Sequence, residues 1–267
     1  MKPLLGIFDS GVGGLTVLKN VLYRHGDLSA VYLADTARIP YGVKSPLEIQ
    51  TIALGLVEWL NMQNISVLAV ACNTTDSLAI KIVKQYSSVP VVGLIDSVGD
   101  LVFESRIGVL ATPSTTESRA YTKVIMASNP NAFVIEQACP AFVPLIETGQ
   151  INSNEFQIVA KNYLKPLIDS NVEAIILGCS HYPLLKSRLQ ELLPKHVRLI
   201  DPSIGLSQKL DDLIGYQSFV EKSIPTFCNV RFCATSDSEG FASRISRWLG
   251  IHPQVELVSV RKNACVF

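Results

Sequence analysis

Two stretches of the chain share one pattern: VLAVACNT at residues 67–74 and AIILGCSH at residues 174–181. In each, a run of apolar residues is followed by a small residue, a cysteine and two polar residues, and then by a helical pattern. Open parallel α/β sheets bind their ligands at the carboxyl ends of the strands. The repetition therefore predicts two similar α/β halves, each presenting one cysteine, Cys72 or Cys179, at that edge of its sheet.

Short β-branched runs alternate with helical patterns along the rest of the chain, which is typical of a mainly parallel sheet. The runs are continuously apolar, as strands covered on both faces are. The predicted strands cover residues 4–8, 31–34, 67–71, 91–94, 107–110, 133–135, 174–177, 197–200, 230–233 and 255–258. The last predicted strand-helix-strand set, from about residue 207 onward, follows the second half and is not needed to complete it. We therefore expect residues 1–94 plus 207–267 to form a first, discontinuous α/β domain and residues 95–206 to form a second, with the site in the cleft between them.

Capping signals mark where several helices begin and end. Ser45, Pro46 and Glu48 have the spacing of a capping box with proline at the first helical position. Another helical pattern begins after Asn152 or Ser153, and the last one ends at Gly250.

Composition excludes several functional classes. The 267 residues are 48% hydrophobic and 17% charged, which is the reverse of a disordered chain. Because 23 basic residues balance 23 acidic ones, no nucleic-acid partner is expected. No apolar run reaches membrane-spanning length, and the one before Asp9 is too short for a signal peptide, so the expected location is the cytoplasm and no membrane partner is expected. In that reducing compartment, the six cysteines are not expected to form a disulfide framework.

A cysteine at a strand-to-helix turn lies beside free N–H groups and the positive end of a helix dipole. This position favours the thiolate and predicts a base or nucleophile. A single such cysteine is more often a small core residue, but two in the same setting favour chemistry. The polar residues that follow them suit a carboxylate, although each could equally be an N-cap: Asn73, Thr74, Ser180 and His181.

Two further loops follow predicted strands. The first, Asp9 to Gly14, is glycine-rich, but a dinucleotide fingerprint would need its last glycine at Thr16. We interpret its glycines as allowing a tight turn and close approach, with Asp9 and Ser10 directed into the crevice; Asp9 could also be a plain helix cap. The second loop, residues 35–42, ends in a Pro-x-Gly turn whose N–H groups could hold another anion. No metal site is expected, because no cysteine or histidine cluster has suitable spacing.

Five ordered motifs carry a resemblance to a known family: DSGVGGL at 9–15, DTAR through PYG at 35–42, ACNT at 71–74, CP through PLIE at 139–147, and GCSHYPL at 178–184. They resemble the cofactor-independent glutamate racemases of bacterial cell-wall synthesis, in the aspartate/glutamate racemase superfamily. The match covers nearly the whole chain. One departure is Ser180, which stands where threonine is usual and keeps the hydroxyl.

The resemblance implies two α/β domains with glutamate between them and a two-base exchange of the Cα proton without pyridoxal phosphate or any other cofactor. Cys72 and Cys179 would act from opposite faces of Cα, with Asp9 assisting the first and His181 and Glu147 the second. The expected holders of the α-carboxylate and ammonium are Asn73, Thr74, Thr112, Thr115 and Ser180. The expected holders of the side-chain carboxylate are Ser10, Tyr41 and Gly42. Asp9, Pro40 and His181 are also expected among the substrate-binding residues.

The same sequence features are compatible with three other functions: a racemase for aspartate or another small acidic substrate, a catalytically silent binding module, and a dithiol redox protein. The last needs the two sulfurs within bonding distance, whereas racemisation needs them apart. Asp76, one turn after Cys72, is expected to favour the thiolate. The expected partners are a small-molecule substrate and, in a homodimer, a second copy of the chain.

Overall fold

The computed structural model describes residues 4–26, 28–214 and 225–261. Its strands, all parallel to their neighbours, are β1 Leu4–Asp9, β2 Ser29–Ala34, β3 Val67–Val70, β4 Val91–Gly93, β5 Arg106–Ala111, β6 Phe133–Ala138, β7 Ala174–Gly178, β8 Arg198–Ile200, β9 Val230–Ala234 and β10 Val255–Leu257. Each of them overlaps a predicted strand. The mainly parallel α/β class predicted from the sequence is therefore confirmed.

The helices that connect the strands are α1 Gly14–Arg24, α2 Pro46–Asn61, α3 Asn73–Tyr86, α4 Pro113–Ser118, α5 Ala120–Ser128, α6 Phe142–Glu147, α7 Asn154–Asp169, α8 Lys186–Leu192, α9 Pro202–Ile214 and α10 Ser238–Leu249. Helix α2 carries the predicted capping box, in which Ser45 and Glu48 each bond the other's backbone N–H. Helix α10 ends at Gly250 in the left-handed conformation, which glycine adopts without strain. In the described ranges, no helix combines the length and apolarity that crossing a bilayer requires.

The strands form two sheets. The first has the order β10-β9-β2-β1-β3-β4, and the second has the order β6-β5-β7-β8. Strands β9 and β10 thus return from late in the chain to extend the first sheet through β2. Helix α9 runs across residue 207, where the sequence analysis placed a domain boundary. The division into 1–94 plus 207–267 and 95–206 stays a prediction.

Apolar clusters cover both faces of each sheet. On one face of the first sheet, Tyr32 packs against Phe232 and Phe241 with ring centroids 6.1 Å apart. The expectation of full burial is wrong for β6 and β10, whose residues are half-buried or exposed. Both are edge strands, so one flank and part of each face meet solvent. Strands β3 and β7 are buried along their whole length, lie inside their sheets and lead to the two cysteines.

A capping contact leads to the first stability prediction. The side chain of Ser153 accepts the N–H of Phe156 at 3.0 Å at the start of α7, which decides between Asn152 and Ser153 in favour of the serine. Replacing Ser153 by alanine is expected to lower the free energy of unfolding by about 1 kcal/mol, because this N–H loses its acceptor. Urea unfolding measures the change. Asn152→Ala is the control: it removes an exposed hydrogen bond from Arg188 but no helix cap, and the expected change is below about 0.5 kcal/mol. Equal effects of the two substitutions would contradict the assignment of the cap.

Candidate active site

A cavity of about 490 Å³ lies at the carboxyl ends of the strands and is lined by residues of both sheets. Most of the residues predicted from the sequence line it: Ser10, Pro40, Tyr41, Gly42, Cys72, Asn73, Thr74, Thr112, Glu147, Cys179, Ser180 and His181. The other two lie directly behind this wall. Asp9 is hydrogen-bonded to Ser180, and Thr115 to Thr112. The structure thus brings together side chains that are up to about 170 residues apart in the chain.

Cys72 is the N-cap residue of α3, directly after β3. Its thiol is buried, and burial together with the nearby Asp9 carboxyl raises its pKa to about 12, against a partial opposing effect of hydrogen bonds to Thr75. The expectation that the helix position would favour the thiolate is therefore wrong for Cys72. The cost of placing a charge in an apolar wall exceeds the stabilisation from the helix terminus.

Cys179 follows β7, and its Sγ lies 3.9 Å from Nδ1 of His181. The other ring nitrogen of His181 is 2.8 Å from Oε1 of Glu147. Burial lowers the pKa of His181, but hydrogen bonds to Cys179 and Glu147 outweigh burial and raise the pKa to about 10. These contacts favour the protonated, positively charged ring beside the Cys179 sulfur. It is fixed further by Trp248, whose indole contacts it edge-on with centroids 5.7 Å apart.

Asp9 is fully buried at the end of β1. Its carboxyl accepts the N–H of Gly11 at 2.8 Å and the hydroxyl of Ser180 at 3.1 Å. It also accepts the N–H of Gly14, the first residue of α1, so Asp9 caps this helix in addition to contacting Ser180. Burial raises the pKa of Asp9. The predicted close approach occurs at Gly13, where a Cβ would lie 2.3 Å from Oγ of Ser180 and 2.4 Å from Nδ1 of His181. The first loop thus links the surroundings of both cysteines.

Three hydroxyl groups form a cluster across the two halves. Oγ1 of Thr112 lies 3.0 Å from Oγ1 of Thr74 and 2.9 Å from Oγ1 of Thr115. Next to them, Nδ2 of Asn73 donates to the hydroxyl of Tyr121 at 2.6 Å. Oδ1 of the same amide is buried, and no donor within the described parts of the chain is hydrogen-bonded to it. An unpaired buried oxygen costs free energy, so a rotation of the Asn73 side chain that gives Oδ1 a donor is favourable.

The turn at residues 40–42 is held by Asp35, a residue to which the sequence analysis gave no role. The buried Asp35 carboxylate accepts the Tyr41 hydroxyl and is paired with Arg38 at 2.7 Å. Because the Tyr41 hydroxyl is engaged there, only the backbone N–H groups of Tyr41 and Gly42 are available to a ligand. The carbonyl of Gly42 accepts the N–H of Ser114 at 3.1 Å, which ties the turn to the second half.

Sequence reasoning also missed three residues of the cavity region: Cys139, Arg244 and Trp248. Cys139 was given no catalytic partner, and its thiol lines the cavity with a pKa raised by burial. Trp248 belongs to the apolar stripe of α10, and that pattern does not distinguish a core contact from a contact with His181. Arg244 lies on the same helix, and a charged residue there is usually solvated.

Asp76 does not support a thiolate, which corrects the expectation for this residue. A negative charge raises the pKa of a nearby thiol rather than lowering it. The carboxyl of Asp76 is buried and instead accepts the N–H of Ile95 at 2.6 Å, beyond the end of β4. Burial is the main reason that its own pKa is raised to about 7.

The raised pKa of Asp76 makes stability depend on pH. Between its ordinary pKa of 3.8 and about 7, the folded protein holds a proton that the unfolded chain has lost, so stability falls as pH rises through this window. From pH 5 to pH 8, the parent protein is expected to lose on the order of 2 kcal/mol of stability relative to Asp76→Asn, which has no charge to bury. Urea midpoints of both proteins at the two pH values measure the difference. A difference that is independent of pH would contradict the assignment.

The described residues contain no group of three or more His, Cys, Asp or Glu side chains that could hold a metal ion. Within these ranges, Cys228 is exposed, Cys233 is buried, and every described cysteine is a free thiol. Cys265 lies outside the described residues.

Comparisons with known proteins agree with one another. The family model for Asp/Glu/Hydantoin racemases matches residues 16–204. The glutamate racemase of Synechococcus sp. (strain CC9605) is 49% identical over 96% of this chain and 98% of its own. The crystal structure of glutamate racemase from Francisella tularensis subsp. tularensis SCHU S4 in complex with D-glutamate superimposes with a TM-score of 0.85, at 36% identity and covering 97% of each chain. Glutamate racemase isoform RacE1 from Bacillus anthracis gives a TM-score of 0.87 at 29% identity, covering 96% of this chain and 97% of its own. The chain belongs to the Asp/Glu/Hydantoin racemase family.

Proposed function

We propose that this racemase interconverts L- and D-glutamate by a two-base exchange of the Cα proton and supplies D-glutamate for peptidoglycan. The observation that carries the proposal is that Cys72 and Cys179, from two different sheets, line one cavity, each with its own ionisable neighbour. Eight relatives at 37–49% identity are named glutamate racemase, which supports glutamate as the substrate. Location in the cytoplasm and assembly as a homodimer stay predictions.

Substrate binding uses the polar walls of the cavity. The ammonium donates to Oδ1 of Asn73, which lacks a partner among the described residues and becomes accessible when this side chain turns towards the cavity that it lines. The α-carboxylate accepts from the hydroxyl cluster of Thr74, Thr112 and Thr115, with Ser180 beside it. The side-chain carboxylate accepts from Ser10 and from the backbone N–H groups of Tyr41 and Gly42. Asp35 is a positioning residue, because it acts only by holding that turn through the Tyr41 hydroxyl.

Proton transfer uses the two thiols in opposite states. One sulfur, as thiolate, takes the Cα proton while the other, as thiol, gives its proton to the opposite face of the planar carbanion, so the configuration inverts. Cys72 takes the proton from D-glutamate and Cys179 from L-glutamate. The raised pKa of Cys72 keeps the thiol protonated for its acid role, and for its base role the thiol proton first passes to a neighbouring group, for which Asp9 is the candidate.

The helpers differ on the two sides. Asp9, buried and with a raised pKa, lies on the Cys72 side and exchanges protons there while bonded to Ser180. The charged ring of His181, fixed by Glu147, faces the Cys179 sulfur and shuttles its proton. Between turnovers, the helper beside the sulfur that took the Cα proton accepts that proton, and the helper beside the other sulfur returns one to it, so one thiolate and one thiol are restored.

Chiral chromatography of the purified protein with a panel of amino acids tests the proposal. We expect conversion of L- and D-glutamate to the same racemic mixture, with aspartate turned over at least about 100-fold more slowly, because a shorter chain cannot place both carboxylates and Cα together. Preferred turnover of aspartate would overturn the substrate assignment. Absence of turnover of any amino acid, with glutamate still protecting the thiols from alkylation, would indicate a binding module instead.

A further inference from the structure

Arg244 is the one arginine or lysine among the described residues that line the cavity. The same cavity is lined by Glu147 and three cysteines, and the buried Asp9 lies directly behind it. Arg38, the nearest cation of the second loop, is engaged by Asp35. The His181 ring, the other cationic group of the lining, is already paired with Glu147, so Arg244 is the cation that remains to offset the charge of a substrate with two carboxylates.

The guanidinium of Arg244 is only loosely held. Both terminal nitrogens lie 3.4 Å from Oδ2 of Asp237, well beyond the distance of a charge-assisted hydrogen bond. Elsewhere on the surface, Arg231 makes a two-pronged pair with Glu256 at 2.8 and 2.7 Å. The other oxygen of Asp237 accepts the N–H of Gly240 as the cap of α10. Arg244 therefore has donors that are not in use at good geometry.

The position of α10 places this cation near one end of the substrate. Just before α10, the N–H of Ser236 donates to the Thr36 hydroxyl at 2.9 Å, which fixes the start of the helix against the second loop. Thr36 and Arg244 both line the cavity, as does the turn at residues 40–42. Under the proposed function, this turn holds the side-chain carboxylate.

We propose that Arg244 is a specificity-determining residue that attracts and pairs with the side-chain carboxylate of glutamate, leaving Asp237 as it does so. The inference rests on the proposed function. Asp237 is the competing anion, so its charge sets how readily Arg244 becomes available. The pairing affects substrate binding rather than proton transfer, since the guanidinium is not among the groups that contact the Cα proton.

Three variants test the pairing. Arg244→Gln is expected to raise the KM for both enantiomers about five-fold, with kcat within about two-fold of the parent. Asp237→Asn is expected to lower KM, because asparagine keeps the helix cap and tolerates the positive φ of 45° but carries no charge. In the double variant, the asparagine is expected to have no effect beyond that of Arg244→Gln.

Arg247→Gln is the matched control, since it removes the same charge from an exposed position on the same helix. Glutamine, which lacks the side-chain charge, is the second control: its inhibition constant is expected to be the same in the parent and in Arg244→Gln. The proposal would be overturned by an unchanged KM in Arg244→Gln or by an equal rise in KM in Arg247→Gln. It would also be overturned if Arg244→Gln raised the inhibition constant of glutamine as much as the KM for glutamate.

The parent assay separates the two claims. If the parent racemises glutamate and Arg244→Gln has an unchanged KM, only the role of Arg244 fails. If the parent does not racemise glutamate, the proposed function fails. Calorimetric titration with D-glutamate then decides the role of Arg244 without turnover: a dissociation constant about five-fold weaker in Arg244→Gln supports it, and an equal one overturns it.

Discussion

Replacing Cys72 or Cys179 by alanine is expected to lower racemisation of glutamate by at least about a thousand-fold, and in both directions. Each direction needs one sulfur to remove the proton and the other to supply one, so neither cysteine suffices alone. The fold is expected to persist, since alanine fits where a small buried thiol was. Chiral chromatography from each enantiomer gives the rates, and circular dichroism checks the fold.

Cys139→Ala is the matched control, because this thiol lines the same cavity and is also buried. This variant is expected to lose stability but to retain turnover. The same result is expected for Cys228→Ala and Cys265→Ala. Near-normal turnover of a folded Cys72→Ala or Cys179→Ala protein would contradict the two-base mechanism. A loss as large in Cys139→Ala would show that the assignment of the second thiol is incomplete.

Adding a single methyl group at Gly13 is expected to lower turnover about 100-fold. The new Cβ would lie 2.3 Å from Ser180 Oγ and 2.4 Å from His181 Nδ1, and neither side chain can withdraw freely. Ser180 is bonded to Asp9, and His181 to Glu147. The methyl group therefore displaces the helpers of both cysteines together. The φ of Gly13 is −56°, so alanine itself meets no backbone strain.

Gly99→Ala provides the comparison for Gly13→Ala. A Cβ at Gly99 would meet only Oγ of Ser128, at an ordinary 3.4 Å. This variant is expected to keep full turnover. Rates for both proteins are measured after circular dichroism and thermal unfolding establish that they are folded. A folded Gly13→Ala protein with parent activity would contradict the view that this glycine fixes the helpers.

The strands and the two cysteine sites could be predicted because their signals are local. A continuous apolar run, a small residue and a capping sequence each depend on a few neighbouring residues, as at Ser45 and Glu48. The edge strands β6 and β10 could not be recognised in this way. Their apolar sequences resemble those of interior strands, and only the order of strands in the sheet decides which flank meets solvent.

The electrostatics of the site depend on depth and on distant contacts, which the sequence pattern does not contain. A helix terminus lowers the pKa of an exposed thiol, but Cys72 is enclosed, and burial dominates. The spacing of Asp76 from Cys72 predicted an effect on the thiol, but its carboxyl instead accepts the N–H of Ile95. Trp248 and Arg244 approach the cavity because β9 and β10 return to the first sheet, bringing α10 to the site from late in the chain.

Solvent deuterium incorporation tests the central claim most directly. A single enantiomer of glutamate is turned over in D2O, and the deuterium at Cα is measured in product and remaining substrate during early conversion. If Cys72 and Cys179 act from opposite faces, deuterium enters the product isomer from the first turnover while the substrate pool retains hydrogen, starting from either enantiomer. Deuterium entering the substrate pool as fast as the product would mean that one base serves both faces, and would contradict the two-cysteine mechanism.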